Sequence, residues 1–273
     1  HNVDHWDLDH PFERLLIDTA VTPNAKEVLW INPRIKPGEK RQVLTGIPGK
    51  TGIVYTLDRK SGEFLWARPT VHQNVVAKID GATGAVTENT ETMFTAEGQT
   101  RQVCPGMNGG KNWPAGAYSP LTGLMYYPLQ NLCMEARSLP PDTSLYAISA
   151  KGMLAPGATN AGTVEAISVE TGSTAWKYQQ RAGVLSLVAT GGGLVFGGDT
   201  AGRFRALDDR TGKVLWEVNL GSPVSGYPVT FAVNGKQYVA VRTGPSLVAG
   251  GVNFTTPEIK PSATNQMYVF ALP

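Results

Sequence analysis

Six residues near the start of the chain, His5-Trp6-Asp7-Leu8-Asp9-His10, combine two carboxylates, two imidazoles and one indole. If this run lies in a loop, the carboxylates of Asp7 and Asp9 can converge on one hard cation, as oxygen ligands do around calcium. The alternative is a solvated turn in which the two acids have no functional role. The elements that would position the run decide between these interpretations.

A repeated segment is the strongest structural signal in the sequence. It occurs at Gly52–Trp66, Gly162–Trp176 and Gly202–Trp216, each time as a strand, a polar turn that ends in Ser/Thr-Gly, and a second strand that ends in tryptophan. The glycine supplies the positive φ that such a hairpin needs, and the tryptophan is large enough to fill the gap between neighbouring sheets. The last two copies begin 40 residues apart, which is the period of a propeller blade.

The rest of the chain also favours an all-β fold, with loops expected at about 81–102 and 137–156. We predict a single domain over residues 1–273, a β-propeller with four-stranded blades docked by tryptophan, or the C-terminal half of one. A net charge of +2 without a Lys/Arg block gives no sign of a nucleic-acid partner, and no apolar run reaches the length of a membrane span. The two cysteines, Cys104 and Cys133, are compatible with a disulfide or with two buried thiols.

With its repeats read as TGIVYTLDRKSGEFLW and GLVFGGDTAGRFRALDDRTGKVLW, the chain resembles the pyrroloquinoline-quinone (PQQ) dependent alcohol dehydrogenases. That family implies an eight-bladed propeller that carries PQQ and a metal ion near its axis. The resemblance extends from the Trp6-Asp7 pair to the end of the chain but matches only the C-terminal half of the family. We therefore expect the N-terminal half of the propeller either as a separate or cleaved chain or as the rest of a longer chain of which this is a fragment. The alternative is closure as a smaller propeller or as a dimer of half-rings.

The resemblance assigns a role to five residues. Asp7 corresponds to the general base that takes the alcohol proton, and Asp9 to the further aspartate of members that use a lanthanide ion; calcium is the alternative metal. Lys50 corresponds to the cation that contacts a quinone carbonyl, where it would stabilise the negative charge that builds on the oxygen. Asn112 and Trp113 lie in a loop that approaches the polar edge of the cofactor.

The same resemblance implies a structural disulfide between Cys104 and Cys133 and, with it, the periplasm. Leu185 replaces a tryptophan that flanks the cofactor in some members, and we expect substrate specificity near Leu185 and in residues 246–253. No CxxCH motif is present, so electrons would pass to an external c-type cytochrome or quinone.

The predicted function is PQQ- and metal-dependent oxidation of a small alcohol (a primary alcohol, polyol or related hydroxylated compound) to an aldehyde or ketone. The alternative is a non-catalytic β-propeller that serves as a scaffold or binding protein. A scaffold needs neither the Trp6-Asp7-Leu8-Asp9 run nor the Gly-Lys-Asn-Trp loop, so binding of PQQ and metal discriminates the two hypotheses.

Overall fold

The computed structural model describes residues 4–143 and 147–271, which are almost entirely β-structure. The strands are Leu15–Val21 (β1), Trp30–Ile31 (β2), Glu39–Gly46 (β3), Ile53–Asp58 (β4), Phe64–Pro69 (β5), Val76–Ile79 (β6), Val86–Glu88 (β7), Thr100–Val103 (β8), Ala117–Ser119 (β9), Leu124–Gln130 (β10), Leu132–Ser138 (β11), Ile148–Leu154 (β12), Gly162–Ser168 (β13), Thr174–Gln180 (β14), Val184–Ala189 (β15), Leu194–Asp199 (β16), Arg203–Asp208 (β17), Val214–Asn219 (β18), Val229–Val233 (β19), Lys236–Arg242 (β20) and Met267–Ala271 (β21). A 3₁₀ turn covers Thr90–Thr92 and an α-helix (α1) covers Leu247–Asn253. Within these described residues, no helix is long and apolar enough to cross a membrane.

The chain divides into two compact units. The first unit comprises the residues up to Asn112 together with Asn131–Thr159 and Ser168–Ser173. It contains a five-stranded sheet in the order β1-β3-β4-β5-β2, a three-stranded sheet β12-β11-β8 and the hairpin β6-β7. Its largest buried side chains include Trp6 and Trp66.

The second unit comprises Trp113–Gln130, Asn160–Ile167 and the residues from Thr174 onward. Two of its sheets have four antiparallel strands, in the orders β14-β13-β10-β9 and β15-β16-β17-β18, and a third has the order β19-β20-β21. Apolar side chains fill the space on either side of β15-β16-β17-β18, around Trp176 and Leu207 in one cluster and around Phe196 and Phe204 in another.

Each repeat forms the predicted hairpin, and its turn is built by a side chain as well as by glycine. The Asp58 carboxylate accepts hydrogen bonds from the backbone N–H groups of Lys60 and Ser61, and Gly62, at φ +76°, donates its N–H to the Asp58 carbonyl. Asp208 and Gly212 form the same turn between β17 and β18. A side-chain acceptor and a left-handed glycine together fix the hairpin.

Two of the three repeat tryptophans, Trp66 and Trp176, pack against the turn glycine of another repeat. A Cβ at Gly172 would lie 3.1 Å from the ring of Trp66, in the first unit. A Cβ at Gly212 would lie 2.5 Å from the ring of Trp176, in the second unit, where the indole N–H donates to the Asp209 carbonyl at 3.0 Å. Glycine is needed at these turns for its positive φ and because the indole occupies the space of a side chain.

The prediction of loops at 81–102 and 137–156 was wrong in large part. Residues 81–102 contain β7, a 3₁₀ turn and most of β8, and residues 137–156 contain β12. The turn Asp80-Gly81-Ala82-Thr83-Gly84 is a further copy of the repeat turn, in which the Asp80 carboxylate accepts from Ala82 and Thr83 N–H groups. The sequence pattern did not identify this turn as a repeat because no tryptophan follows it. Strand β12 was not predicted because its middle residues are exposed and show no apolar alternation.

Candidate active site

The acidic run near the start of the chain is a turn organised by Asp4. The Asp4 carboxylate accepts hydrogen bonds from the backbone N–H groups of Trp6 (2.9 Å) and Leu8 (2.8 Å). Trp6 and Leu8 are completely buried, and the Trp6 indole donates to the Thr92 carbonyl at 2.9 Å. Because the apolar residues of the run point into the core of the first unit, Asp7 and Asp9 are left nearer the surface.

Asp7 has a left-handed backbone conformation, with φ +63°. Aspartate tolerates this region better than most residues, but it is uncommon outside glycine and tends to persist where the surroundings impose it, often at functional sites. Here the Asp4 hydrogen bonds before and after Asp7 hold the backbone in place.

Lys50 joins the two acids of the run. Its ammonium lies 2.8 Å from a carboxylate oxygen of Asp7 and 3.0 Å from one of Asp9, and it donates to the Asp7 carbonyl at 2.7 Å. The Lys50 backbone N–H also donates to the Asp9 carbonyl at 2.9 Å. Lys50 is 5% exposed, so a buried cation contacts two acids, of which Asp7 is partly exposed and Asp9 largely exposed. The structure thus brings together three of the five residues expected at the site.

Two glycines lie next to Lys50 at positions where neighbouring atoms leave no room for a side chain. A Cβ at Gly49 would lie 2.5 Å from the His10 ring, and a Cβ at Gly109 would lie 2.9 Å from the Cβ of Lys50. The Gly110 N–H donates to the Lys50 carbonyl at 2.7 Å. The Gly-rich loop that carries Asn112 is therefore fixed beside Lys50.

The two carboxyl groups differ in acidity although they share one lysine. Burial raises the pKa of Asp7, against the opposing hydrogen bond from Lys50. The hydrogen bond from Lys50 lowers the pKa of Asp9, which is more exposed and loses less hydration. Asp7 is therefore the better proton acceptor of the pair, and Asp9 the more firmly ionised carboxylate.

Asn112 and Trp113 differ in their surroundings. Asn112 is buried in the first unit and its amide N–H donates to the Asn108 carbonyl at 2.8 Å. Trp113 is half-exposed, belongs to the second unit and accepts a hydrogen bond at its carbonyl from the Tyr227 hydroxyl. Their role toward a cofactor stays a prediction.

Two carboxylates are a partial ligand set for a hard metal ion. Calcium-like ions take six to eight oxygen ligands, whereas no group of three or more His, Cys, Asp or Glu side chains suited to a metal occurs among residues 4–143 and 147–271. Asp7 and Asp9 already converge on a single cation, the Lys50 ammonium, which shows that their oxygens are placed to share a positive charge. Carboxylate oxygens suit a lanthanide or calcium ion, but these two acids alone do not complete the oxygen shell of such an ion.

A cavity lies beside Asp7, and sequence patterns indicated neither its presence nor the residues that form it. The cavity, of about 480 Å³ in the first unit, is lined by Asp7 together with His5, Phe94 and Leu139. The His5 ring stacks on Phe94 and its Nδ1 accepts from the Phe94 N–H at 3.2 Å. Phe94 lies in the segment expected to be a loop, so only the fold could bring it to the acidic run.

A second residue missed by the sequence reasoning is Lys111, next to Asn112. Its side chain is fully buried, its ammonium lies 2.8 Å from a carboxylate oxygen of Glu13, and it sits over the ring of Phe12. Burial lowers the pKa of Lys111. No sequence signal distinguishes it from an exposed lysine.

Two other predictions concern the disulfide and Leu185. The disulfide Cys104–Cys133 is confirmed and lies in a buried cluster with Ala155. Leu185, near which substrate specificity was expected, lies on β15 and is 1% exposed. Its role in specificity stays a prediction, although its side chain contributes to the interior of the second unit.

Comparison with known proteins bears on the family and the fold of the chain. A family model described as the glucose/ethanol/alcohol dehydrogenase β-propeller domain matches residues 180–239. The chain is 32% identical over 249 residues to the lanthanide-dependent methanol dehydrogenase of Methylacidiphilum fumariolicum (strain SolV), with 88% of the chain and 38% of that protein covered. It is 31% identical over 258 residues to the dehydrogenase subunit of a quinone alcohol dehydrogenase from Komagataeibacter europaeus, with 89% and 33% covered.

The fold of a solved structure, a europium-containing methanol dehydrogenase, matches with a TM-score of 0.82 and 29% identity. That match covers 98% of this chain and 49% of the solved chain. The predicted all-β, propeller-type fold is confirmed. The chain spans about half the length of that solved structure and a smaller share of the curated relatives.

Proposed function

We propose that this chain, which is homologous to part of the PQQ-dependent alcohol dehydrogenases, contributes the catalytic base and part of the metal site to a quinoprotein that oxidises alcohols. In that reaction the alcohol loses two electrons and two protons and becomes an aldehyde or ketone. The single observation that carries the proposal is the Asp7–Lys50–Asp9 cluster, in which one buried cation lies between two carboxylates at 2.8 and 3.0 Å.

Asp7 is the proposed base because it lines a cavity on one side and contacts Lys50 on the other. Its raised pKa makes its carboxylate a stronger proton acceptor than an exposed aspartate, and the cavity gives a hydroxyl group access to it. Lys50 holds this carboxylate in place through both the carbonyl and the side chain of Asp7.

Asp7 and Asp9 would hold a lanthanide or calcium ion, and Lys50, Asn112 and Trp113 would contact PQQ. When bound, PQQ would accept the electrons of the alcohol, and the metal would act as a Lewis acid beside it. The Lys50 ammonium is suited to stabilise negative charge on a neighbouring oxygen because it is almost fully desolvated, where electrostatic interactions are strongest.

The proposed partners are a small-molecule alcohol, a c-type cytochrome or quinone that accepts the electrons, and the other half of the propeller. The periplasm is the proposed compartment, and the disulfide supports it, since disulfides persist in oxidising environments. Among the relatives, one is named as a methanol dehydrogenase [cytochrome c] subunit, from Methylobacterium organophilum.

One face of the sheet β19-β20-β21 supports a partner that supplies further blades. The opposite face packs on Phe196 and Phe204, as expected between neighbouring blades. The outer face carries apolar side chains brought together by the register of the strands, and they are exposed: Val229, Phe231, Val233, Met267 and Val269. An exposed apolar face of this kind marks an interaction surface, and another four-stranded sheet of the same repeat would cover it.

The test is reconstitution of the assembled protein with PQQ and either La³⁺ or Ca²⁺. We expect the absorbance of bound quinone, alcohol-dependent reduction of an artificial dye, and bound lanthanide by elemental analysis. Asp9→Ala should abolish lanthanide binding and lanthanide-supported activity. The matched control is Asp18→Ala, since Asp18 is also an exposed acid of the first unit paired with one basic residue, Arg59. Equal lanthanide content in Asp9→Ala and Asp18→Ala would refute the ligand assignment.

A further inference from the structure

Lys111 is a lysine whose side chain is completely enclosed by the first unit. Its ammonium lies 2.8 Å from a carboxylate oxygen of Glu13, donates to the Asn112 carbonyl at 3.0 Å and sits 4.5 Å from the ring centroid of Phe12. An ammonium has three N–H donors, and a carboxylate, a carbonyl and an aromatic face all attract it. The buried charge is therefore held in one place by several partners.

The partners of Lys111 belong to two segments that lie far apart in the sequence. Phe12 and Glu13 end the N-terminal segment (residues 9–13). Lys111 and Asn112 end the glycine loop (residues 108–112), which is closed by the hydrogen bond from the Asn112 amide to the Asn108 carbonyl at 2.8 Å. The ion pair between Lys111 and Glu13 joins residues 98 positions apart along the chain. Lys111 thus links the glycine loop to the N-terminal segment.

The same two segments hold the backbone of Lys50 from both sides. The Lys50 N–H donates to the Asp9 carbonyl, on the N-terminal segment, at 2.9 Å. The Lys50 carbonyl accepts from the Gly110 N–H, on the glycine loop, at 2.7 Å. Lys50 therefore lies between two segments that Lys111 joins directly to each other.

The ammonium of Lys50 depends on this backbone position. It lies 2.8 Å from a carboxylate oxygen of Asp7 and 3.0 Å from one of Asp9. A displacement of the Lys50 backbone by about 1 Å would lengthen such contacts beyond hydrogen-bonding distance. Separation of the N-terminal segment from the glycine loop would permit that displacement, because each segment holds only one side of Lys50.

We propose that Lys111 is a positioning residue, which fixes Lys50 between Asp7 and Asp9 by linking the N-terminal segment to the glycine loop. Because Lys111 is completely buried, it acts through these segments and not by contact with a substrate or cofactor. The inference rests on the proposed function for the role of Lys50 beside a quinone. The position of Lys50 itself can be measured in the full chain without cofactor.

The test compares the parent chain with Lys111→Met, which keeps an unbranched side chain in the buried site but removes the ammonium. The side chain of Glu13 is 36% exposed, so water can hydrate its carboxylate in the variant and the fold should persist. Two measurements report on Lys50: acylation of its amine, followed by mass spectrometry, and hydrogen exchange of the Lys50 and Gly110 N–H groups. We expect all three rates to rise about tenfold, because hydrogen bonds of a charged group contribute enough to shift a local equilibrium by that factor.

A second variant, Glu13→Gln, keeps Lys111 and leaves an oxygen that can accept its hydrogen bond. It should accelerate the acylation of Lys50 less than Lys111→Met does, since a neutral acceptor replaces a charged one. This variant also tests the inference if Lys111→Met does not fold.

Two controls separate positioning from a general loss of stability. The Asn32 N–H, bonded to the Leu65 carbonyl at 2.8 Å in the same unit, should be accelerated much less than the amides beside Lys50. The matched variant Lys177→Met removes an ammonium paired with a buried glutamate, Glu165, in the second unit. It should leave the acylation of Lys50 unchanged.

Equal acceleration of the Lys50, Gly110 and Asn32 amides in Lys111→Met, or unchanged acylation of Lys50, would overturn the inference. A separate titration of the assembled parent protein with PQQ and La³⁺ distinguishes this failure from failure of the proposed function. Quinone binding by the parent protein, with Lys50 unaffected in Lys111→Met, would overturn the positioning role alone. Selective release of Lys50 in Lys111→Met, without quinone binding by the parent protein, would support the positioning role and contradict the cofactor assignment.

Discussion

Replacement of the turn glycine under Trp176 tests how the repeat sheets are held together. An alanine Cβ at Gly212 would lie 2.5 Å from the indole, closer than real Cβ atoms approach a neighbour. Trp176 has little freedom to withdraw, because its N–H is bonded to the Asp209 carbonyl and its ring packs against Tyr126. We therefore expect Gly212→Ala to force a shift of a buried aromatic side chain.

The expected loss of stability has two parts. Alanine at φ +70° costs about 1–2 kcal/mol relative to glycine. Overpacking of the site around Trp176 adds about 1–3 kcal/mol. The free energy of unfolding of the second unit should therefore fall by about 2–5 kcal/mol, a large share of what a domain of ordinary stability possesses.

The matched control is Gly123→Ala in the same unit. Gly123 has φ +67° and donates its N–H to the Ser119 carbonyl, as Gly212 does to the Asp208 carbonyl, but beyond its chain neighbours no atom lies within 4 Å of the position that a Cβ would take. Gly123→Ala should therefore show only the conformational cost, about 1–2 kcal/mol. Urea titrations followed by tryptophan emission and by circular dichroism give both values. Equal losses for the two variants would refute the packing of Trp176 on the Gly212 turn.

Two further predictions concern covalent and electrostatic support of the first unit. Replacement of both Cys104 and Cys133 by serine opens a loop with a sequence separation of 29, which should lower the free energy of unfolding by about 3.6 kcal/mol in the chain-entropy model. We expect the melting temperature of this variant to match that of the reduced parent protein and to lie below that of the oxidised parent protein. In the turn after β4, hydrogen bonds from the Ser61 backbone and from Arg41 lower the pKa of Asp58, so its contribution to stability is full above its ordinary pKa and is lost as the pH falls through the lowered value. Asp58→Asn should therefore unfold about 1 kcal/mol more easily at pH 7, and this difference should shrink below about pH 4 in acid titrations of stability; a difference that is constant with pH would contradict it.

The fold was predictable where local chemistry repeats. The Ser/Thr-Gly turn and the terminal tryptophan of the repeat follow from short-range rules, so the hairpins at Gly52–Trp66, Gly162–Trp176 and Gly202–Trp216 were foreseen. β12 was missed because its exposed residues give no apolar alternation, and its place in the sheet depends on its pairing with β11, which no local pattern records. Among the described residues, four of the six sheets also depart from the predicted four strands, with five, three, three and two strands.

The candidate site was predictable only in its residue types. The sequence predicted Asp7, Asp9 and Lys50 as site residues. Their common ion-pair geometry depends on the turn, which is held by hydrogen bonds from the Trp6 and Leu8 N–H groups to the Asp4 carboxylate. The cavity wall of Phe94 and Leu139 joins segments 45 residues apart along the chain, and short-range rules do not reach across that distance.

The central claim is that Asp7 acts as the base of a quinoprotein alcohol dehydrogenase. Its most direct test is dye-linked alcohol oxidation by the assembled protein, loaded with PQQ and La³⁺ or Ca²⁺, for the parent protein and for Asp7→Asn, with bound quinone measured by absorbance in both. We predict equal quinone content and a loss of turnover of about a hundredfold or more in Asp7→Asn. Absence of turnover by the parent protein with either metal, or equal turnover by both proteins, would contradict the claim.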